Sequence, residues 1–132
     1  MPSTQRLGTK IAAEGALELG LGSELEDAIA DAFRRKGWIT FTRTNRCDVV
    51  AVRPDGSLAF VVEAKNWSLS RKAQIHAVRQ LNRNYTKALE ILVERGLRAQ
   101  RIVKVLVARA FAHNSRGILQ FTTEAFLTYL KG

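Results

Sequence analysis

The sequence is short of several residue types on which common functional sites depend. Its 132 residues include one cysteine, two histidines and two prolines, and no apolar run approaches the length needed to cross a bilayer. One cysteine excludes an internal disulfide framework and a cysteine-type zinc site. His76 and His113 are far apart and have no third partner at ligand spacing, so a histidine-type zinc site is not expected. Cys47 has no recognisable base, which argues against a cysteine nucleophile.

Acidic residues are scarce relative to basic ones. The chain has 12 aspartates and glutamates against 21 lysines and arginines, a formal net charge of +9, which favours a polyanionic partner. Charge alone does not separate DNA from RNA or a membrane surface. Only Trp67 and Tyr85 lie in or beside the most basic segment, too few for an RNA module that stacks single-stranded bases. The remaining composition and an N-terminus without a signal-peptide pattern predict a cytoplasmic globular protein with no membrane contact.

Two apolar runs rich in β-branched residues, 49–52 and 58–62, predict the strands of a β-hairpin. The Arg-Pro-Asp-Gly-Ser segment between them has turn chemistry. Because strand side chains alternate between the two faces of a sheet, Glu63 and Lys65 share one face at the end of the second strand.

Acidic residues stand at the same end of both predicted strands. Asp48 opens the first strand and Glu63 follows the apolar run of the second, so hairpin pairing brings them together with Lys65. Two carboxylates and an ammonium group are the make-up of a divalent-metal phosphodiesterase site. The alternative is a surface hairpin on which Glu63 and Lys65 form an exposed ion pair, worth at most about 1 kcal/mol.

The order Asp48, hairpin, Glu63-x-Lys65 resembles the signature of the PD-(D/E)xK nuclease superfamily, with Cys47 where the family often has proline. Across residues 22–110 the chain is similar to archaeal Holliday junction resolvases and to Mrr-like restriction endonuclease domains. The resemblance implies the restriction-endonuclease-like α/β fold. In that fold a mixed central sheet of about five strands is flanked by helices in the core order αβββαββα.

A helix is predicted from Ser23, because Ser23 and Glu26 have the form of a capping box. Glu26 has a second interpretation, in which its carboxylate points inward beside the hairpin. The resemblance implies a metal-proximal glutamate on this helix, and Glu26 is the matching position. The apolar stripe of the helix is Leu25, Ala28, Ile29, Ala32 and Phe33.

The chain is expected to form an N-terminal extension, residues 1–22, and a single nuclease domain, residues 23–132. Within the extension, residues 4–19 predict a helix weakened by Gly8 and Gly15, with Gly20 and Gly22 as helix breakers. Such a helix either packs on the domain, frays in solvent or binds a second subunit.

A strand over residues 38–43 leads into the hairpin, and Arg43 and Arg46 flank the predicted site. Their guanidinium groups are candidates to hold phosphate in bidentate geometry. The alternative is that both are solvated arginines at strand ends.

A long helix is predicted from about Arg71 to Glu94, capped by Ser70 and ended by Gly96. From the resemblance, Gln80 on this helix is a candidate for a residue that orders the site, and it is included with the candidate nucleic-acid-binding residues. The predicted apolar face is Ile75, Val78, Leu81, Tyr85, Ala88 and Leu92. The nearly opposite basic face is Lys72, His76, Arg79, Arg83 and Lys87, which either contacts DNA or is a solvated surface.

The last third of the chain predicts two further strands and a helix. Residues 102–108 form a nearly unbroken apolar run, and the helix crossover before it makes this strand parallel to the strand of Glu63. A short strand over 118–121 follows, and Thr122 or Thr123 caps the last helix.

The function inferred from these features is hydrolysis of DNA phosphodiester bonds by metal-activated water. Asp48 and Glu63, with Glu26 and the carbonyl of Ala64, would hold Mg²⁺, for which Mn²⁺ would substitute. Lys65 would orient the attacking water or stabilise the developing charge. An endonuclease of the repair, recombination or restriction type, acting as a homodimer on double-stranded or branched DNA, is expected. The alternative is a non-catalytic nucleic-acid-binding subunit of the same fold.

Overall fold

The computed structural model describes residues 21–132, which form three helices and five strands. Their order, αβββαββα, is the one predicted from the sequence, and it confirms the fold class. The elements are α1 (Leu21–Arg35), β1 (Ile39–Thr44), β2 (Cys47–Val52), β3 (Leu58–Ala64), α2 (Arg71–Glu94), β4 (Arg101–Ala108), β5 (Leu119–Thr122) and α3 (Thr123–Lys131).

The five strands form one mixed sheet in the order β1-β2-β3-β4-β5. The first three strands pair antiparallel, whereas β3 with β4 and β4 with β5 pair parallel. Helix α2 makes the crossover from β3 to β4, as predicted for parallel neighbours. The C-terminal ends of β3, β4 and β5 therefore meet the start of β2 at one edge of the sheet.

Helices cover both faces of the sheet. On one face, α1 and α3 pack on β3 through an aromatic cluster in which Phe33 lies 5.8 Å from Phe60 and Trp38 stacks on Phe60 at 5.5 Å. On the other face, α2 packs through Leu81 and Ala88 onto Val61 and its neighbours. The alternation of β3 side chains thus divides the core in two.

The ends of α2 are as the sequence predicts, but its buried face is not. The Oγ of Ser70 accepts a hydrogen bond from the Ala73 amide at 3.1 Å, and Gly96 follows the helix at φ +65°. Ile75, placed on the apolar face by the sequence, is 39% exposed, while Gln74 and Asn84 are buried. The buried face predicted from apolar spacing alone is therefore wrong at these positions, because both polar side chains have hydrogen-bond partners in the interior.

Gln74 ties the segment after β4 to α2. Its Oε1 accepts hydrogen bonds from the amides of Ala112 at 2.7 Å and His113 at 3.2 Å. Its Nε2 donates to the His113 carbonyl at 2.6 Å and lies 3.0 Å from the Ser115 Oγ. A buried side-chain amide therefore satisfies backbone groups that have no strand neighbour.

Helix α1 begins earlier than predicted. It already includes Leu21 and Gly22, so Ser23 lies inside its first turn and is not the N-cap. The expected capping box is wrong for the same reason, and the Glu26 carboxylate binds Arg43 instead. Burial of the α1 stripe, including Ile29 at 0% exposure, outweighs the helical cost of a glycine, about 1 kcal/mol. The helix predicted for residues 4–19 lies outside the described residues.

The remaining elements differ from prediction by one or two residues at their ends: β2 begins two residues before the run 49–52, and β3 ends two residues after the run 58–62. The N-cap of α3 is Thr122, whose hydroxyl accepts a hydrogen bond from the Ala125 amide at 3.2 Å. None of the helices over residues 21–132 combines the length and the apolarity that a bilayer crossing needs.

Candidate active site

Asp48 and Glu63 meet at the edge where β2 begins and β3 ends. Val49 follows Asp48, Val62 precedes Glu63, and these two valines are an antiparallel pair, so the two acids lie opposite each other on one face of the sheet. Val50 and Val61, two residues away in each strand, pack against α2 and identify that face as the one α2 covers. We call Asp48 and Glu63 the acid pair.

The Asp48 carboxylate is held by the backbone of β3. Its Oδ2 accepts a hydrogen bond from the Ala64 amide at 2.9 Å. This contact fixes the carboxylate beside the residue whose carbonyl is the predicted metal ligand. The orientation of Asp48 is thus set by sheet pairing and not by a flexible loop.

Glu63 is 2% exposed and is surrounded by polar groups. The Lys65 Nζ lies 3.1 Å from its Oε2, and the Asn84 Nδ2 lies 3.5 Å from its Oε1. The Lys65 ammonium also donates to the Gln80 Oε1 at 3.1 Å. Lys65 is therefore oriented by β3 on one side and α2 on the other. Gln80 contacts Lys65, and its predicted role in ordering the site stays a prediction.

Asn84 is the residue that sequence reasoning missed. It lies in α2 three residues after the buried Leu81 and four before the buried Ala88, so it occupies a core position. A polar residue at the apolar spacing of a helix was the available signal, because such a residue needs a buried partner. That partner is Glu63.

Glu26 reaches the site from α1. Its side chain is 13% exposed, and its Oε1 accepts from the Arg43 Nη1 at 3.0 Å. The Arg43 Nη2 binds the Asp27 Oδ1 at 2.8 Å. Glu26 also contacts Asp48 closely enough to perturb its ionisation. Arg43 thus has two carboxylate partners in this structure, and its predicted phosphate contact stays a prediction.

The turn between β1 and β2 carries unusual backbone angles. Arg43, Asn45 and Arg46 have φ values of 47°, 51° and 73°, a region that non-glycine residues rarely adopt. Asn45 anchors the turn to α2, since its Nδ2 donates to the Lys87 carbonyl and to the Glu90 Oε1, both at 3.1 Å. Asn45 therefore ties the turn that carries Arg46 to α2.

A cavity of about 490 Å³ lies between this turn and α2, lined by Arg46, Gln80, Arg83, Asn84 and Lys87. Four of these five side chains were predicted to bind nucleic acid, and the fifth contacts Glu63. Lys72 and Arg79, the other two predicted residues of α2, are exposed on the helix. The cavity therefore places basic side chains beside Gln80 and Asn84, which contact Lys65 and Glu63 respectively.

Proton affinities in the site are raised. Burial, followed by the charge of Glu63, raises the pKa of Asp48 from 3.8 to about 6. Burial also raises the pKa of Glu63, and burial followed by the charge of Asp48 raises that of Glu26. Burial and the neighbouring negative charges thus disfavour the ionised carboxylates, and a bound cation would relieve their repulsion.

The donor set fits a hard divalent cation. Within residues 21–132 there is no ready group of three aspartate, glutamate, histidine or cysteine side chains able to enclose a metal. Mg²⁺ does not require one, because it is commonly bound by one or two carboxylates together with waters and substrate phosphate. The acid pair supplies two carboxylates, and Glu26 lies beside them.

The metal-free protein is expected to lose stability as the pH rises from about 4 to about 7. The folded-state pKa of Asp48, about 6, exceeds its ordinary value of 3.8, so the folded state binds the proton more tightly and is favoured at low pH. The expected contribution is roughly 1 to 3 kcal/mol, at 1.36 kcal/mol per pKa unit. Urea unfolding in EDTA checks this. Asp48→Asn should flatten the pH dependence, and curves parallel to wild type would contradict it.

A protein-family model matches the chain over more than half of its length. The family is described as a restriction endonuclease, its model covers the Mrr-type catalytic domain, and the match spans residues 21–93, more than half of the sequence. The matched segment begins with α1, includes Asp48, Glu63 and Lys65, and ends one residue before the last residue of α2. No curated protein matches the chain. The chain therefore belongs to the Mrr-type restriction endonuclease family, and it is a nuclease of the restriction-endonuclease type whose implied substrate is DNA.

Proposed function

We propose that the chain is a Mg²⁺-dependent DNA endonuclease whose active site is Asp48, Glu63 and Lys65, with Mn²⁺ able to replace Mg²⁺. The observation that carries the proposal is the acid pair itself. Two poorly hydrated carboxylates lie opposite each other at adjoining strand ends, with an ammonium group 3.1 Å from one of them. Raised pKa values at Asp48 and Glu63 support the same conclusion, because the site favours added positive charge.

Each side chain has a role that follows from its contacts. Asp48, Glu63 and the Ala64 carbonyl would hold Mg²⁺, with Glu26 beside them. When bound, the ion supplies an activated water and neutralises charge on the phosphate. Lys65 keeps a cation directed at the reacting phosphate, and Gln80 fixes its direction. We further propose that residues 23–132 form one nuclease domain.

DNA would lie along the basic face of α2 and the cavity beside it. Between Arg71 and Lys87 the helix has no acidic residue, so nothing on this stretch cancels its positive charge. Arg46 adds a guanidinium group to the same cavity. A backbone-following surface of this kind positions the strand without reading its sequence. A symmetric dimer would present two such sites, one to each strand of a duplex.

Alanine at Lys72, Arg79, Arg83 or Lys87 is expected to flatten the salt dependence of DNA binding. A protein that neutralises duplex phosphates loses log K with a slope of about 0.9 per contact, so each substitution should lower the slope by about one unit. Fluorescence anisotropy over a salt series in EDTA measures it. Lys131→Ala, a lysine in the last turn of α3 on the other face of the sheet, is the matched control. An unchanged slope in all four variants would show that the basic face of α2 is a solvated surface that does not contact DNA.

A cleavage panel tests the proposed function. Linear duplex, single strand, flap and four-way junction DNA, equally labelled, are incubated with Mg²⁺, with Mn²⁺ and with EDTA. Internal cuts with either metal, and none in EDTA, are expected. Absence of cleavage on every substrate with both metals would overturn the proposal.

A further inference from the structure

Trp67 lies two residues after Lys65 and is 49% exposed. Single exposed apolar residues are ordinary on protein surfaces, so the exposure alone carries little weight. The position of the ring is more informative. The Lys65 Nζ lies 5.6 Å from the ring centroid, within the range of a cation–π contact. The indole therefore forms one side of the ammonium's surroundings, and Glu63 and Gln80 form the others.

The backbone around Trp67 is fixed by β4 and its extension. The Trp67 carbonyl accepts from the Arg109 amide at 3.0 Å, and the Leu69 amide donates to the Ala110 carbonyl at 2.9 Å. Ser68 forms an isolated parallel bridge with Ala110, and Leu69 is 5% exposed. The ring is thus presented from an ordered segment at the edge that carries the acid pair.

Other large aromatic side chains have a packing role that Trp67 lacks. Trp38 is buried and stacks on Phe60 at 5.5 Å. Tyr129 is 52% exposed but stacks on Phe121 at 5.5 Å. Among the aromatic pairs of residues 21–132, none includes Trp67, whose ring contacts the Lys65 cation instead.

We propose that Trp67 is a stacking platform for an unpaired DNA base within one or two nucleotides of the phosphate that Lys65 faces. The inference rests on the proposed function and narrows its substrate class. DNA rises about 3.4 Å per nucleotide along one strand, so a ring 5.6 Å from the Lys65 Nζ lies beside the nearest nucleotides. Exposed rings stack bases of any sequence, but only unstacked bases offer a free face.

The preferred substrate is therefore DNA with an unpaired base at the cut, such as a single strand, a gap or a flap. An intact duplex keeps its bases stacked and hydrogen-bonded inside the helix, where Trp67 gains nothing without extrusion of a base. The exposed Arg109, whose amide binds the Trp67 carbonyl, adds positive charge for the flanking backbone.

The test is tryptophan fluorescence with oligothymidine and with a fully paired duplex, both in EDTA so that no cleavage occurs. Oligothymidine should quench the exposed Trp67, whereas Trp67→Phe retains only the buried Trp38 and should show no quenching. Trp67→Ala should weaken oligothymidine binding roughly 5- to 150-fold and leave duplex binding unchanged. Tyr129→Leu, which removes a similarly exposed ring on the other face of the sheet, should bind both as wild type does.

Three outcomes overturn the inference: equal weakening of both DNAs in Trp67→Ala, no weakening of either, or no quenching of the wild-type protein by oligothymidine. A fluorescence readout in EDTA is independent of catalysis, so the two proposals fail separately. Quenching by oligothymidine in a protein that cuts nothing would refute the endonuclease and support the platform. Cleavage without quenching would refute the platform alone.

Discussion

Asp48→Asn and Glu63→Gln are each expected to reduce Mg²⁺-dependent cleavage by about 10³-fold or more. A metal contributes several kcal/mol of transition-state stabilisation, and each 1.36 kcal/mol is a factor of ten in rate. Both changes keep the size of the side chain. An amide oxygen at position 48 can still accept from the Ala64 amide, so the hairpin should stay intact. DNA affinity should be unchanged or tighter, because an anion has left a basic surface.

Single-turnover kinetics and anisotropy on the same DNA check this pair of outcomes. Asp31→Asn is the matched control, since it removes the same charge from an exposed carboxylate of α1, whose ion-pair partner among residues 21–132 is Arg34 at 3.7 Å. That variant should cut at the wild-type rate. A wild-type rate in either variant of the acid pair would show that the active site is elsewhere.

Lys65→Ala is expected to lose about 2 to 4 kcal/mol of transition-state stabilisation, the size seen when one preorganised electrostatic partner is removed. The loss corresponds to roughly 30- to 1000-fold in kcat. The physical reason is the geometry of the ammonium, which β3 and Gln80 hold in place before substrate arrives. Rapid-quench measurement of kcat and KM on one substrate tests it. A loss confined to KM would make Lys65 a binding residue.

Lys104 provides a matched control for Lys65. Its Nζ donates to the Asn82 Oδ1 at 2.8 Å and lies 5.4 Å from the Tyr85 ring centroid, so it has an amide and an aromatic partner, as Lys65 does. Unlike Lys65, which pairs with Glu63, Lys104 forms no ion pair with a carboxylate of residues 21–132. Lys104→Ala should leave kcat unchanged. A comparable loss of kcat would mean that general positive charge, and not the position of Lys65, drives the reaction.

Local chemistry explains which parts of the fold were predictable. The ends of α2, with Ser70 as the N-cap and Gly96 directly after the C-cap, depend on side chains and backbone angles within a few residues, and both ends were predicted at the right positions. The meeting of Asp48 and Glu63 follows from a period of two along strands joined by a short turn. The parallel pairing of β3 and β4 follows from the helix between them.

Tertiary contacts explain what the sequence did not reveal. Asn84 and Gln74 are buried because Glu63 and the segment after β4 supply partners. The spacing of Asn84 within α2 indicates that it needs a buried partner, but the pattern does not identify that partner. The pairing of Arg43 with Glu26 and Asp27 depends on how α1 approaches a strained turn. Early initiation of α1 has a similar origin, since packing of its stripe overrides the low helix propensity of Gly22.

Isothermal titration of Mg²⁺ into the DNA-free protein tests the central claim most directly, because it asks whether the acid pair holds the ion on which the proposed chemistry depends. Wild type should bind Mg²⁺, with Mn²⁺ competing for the same site. Asp48→Asn should show no heat of specific Mg²⁺ binding, and Asp31→Asn should bind Mg²⁺ as wild type does. Equal Mg²⁺ binding by wild type and Asp48→Asn, or none by wild type even with a cleavage-resistant DNA bound, would contradict the account and favour a DNA-binding subunit without catalysis.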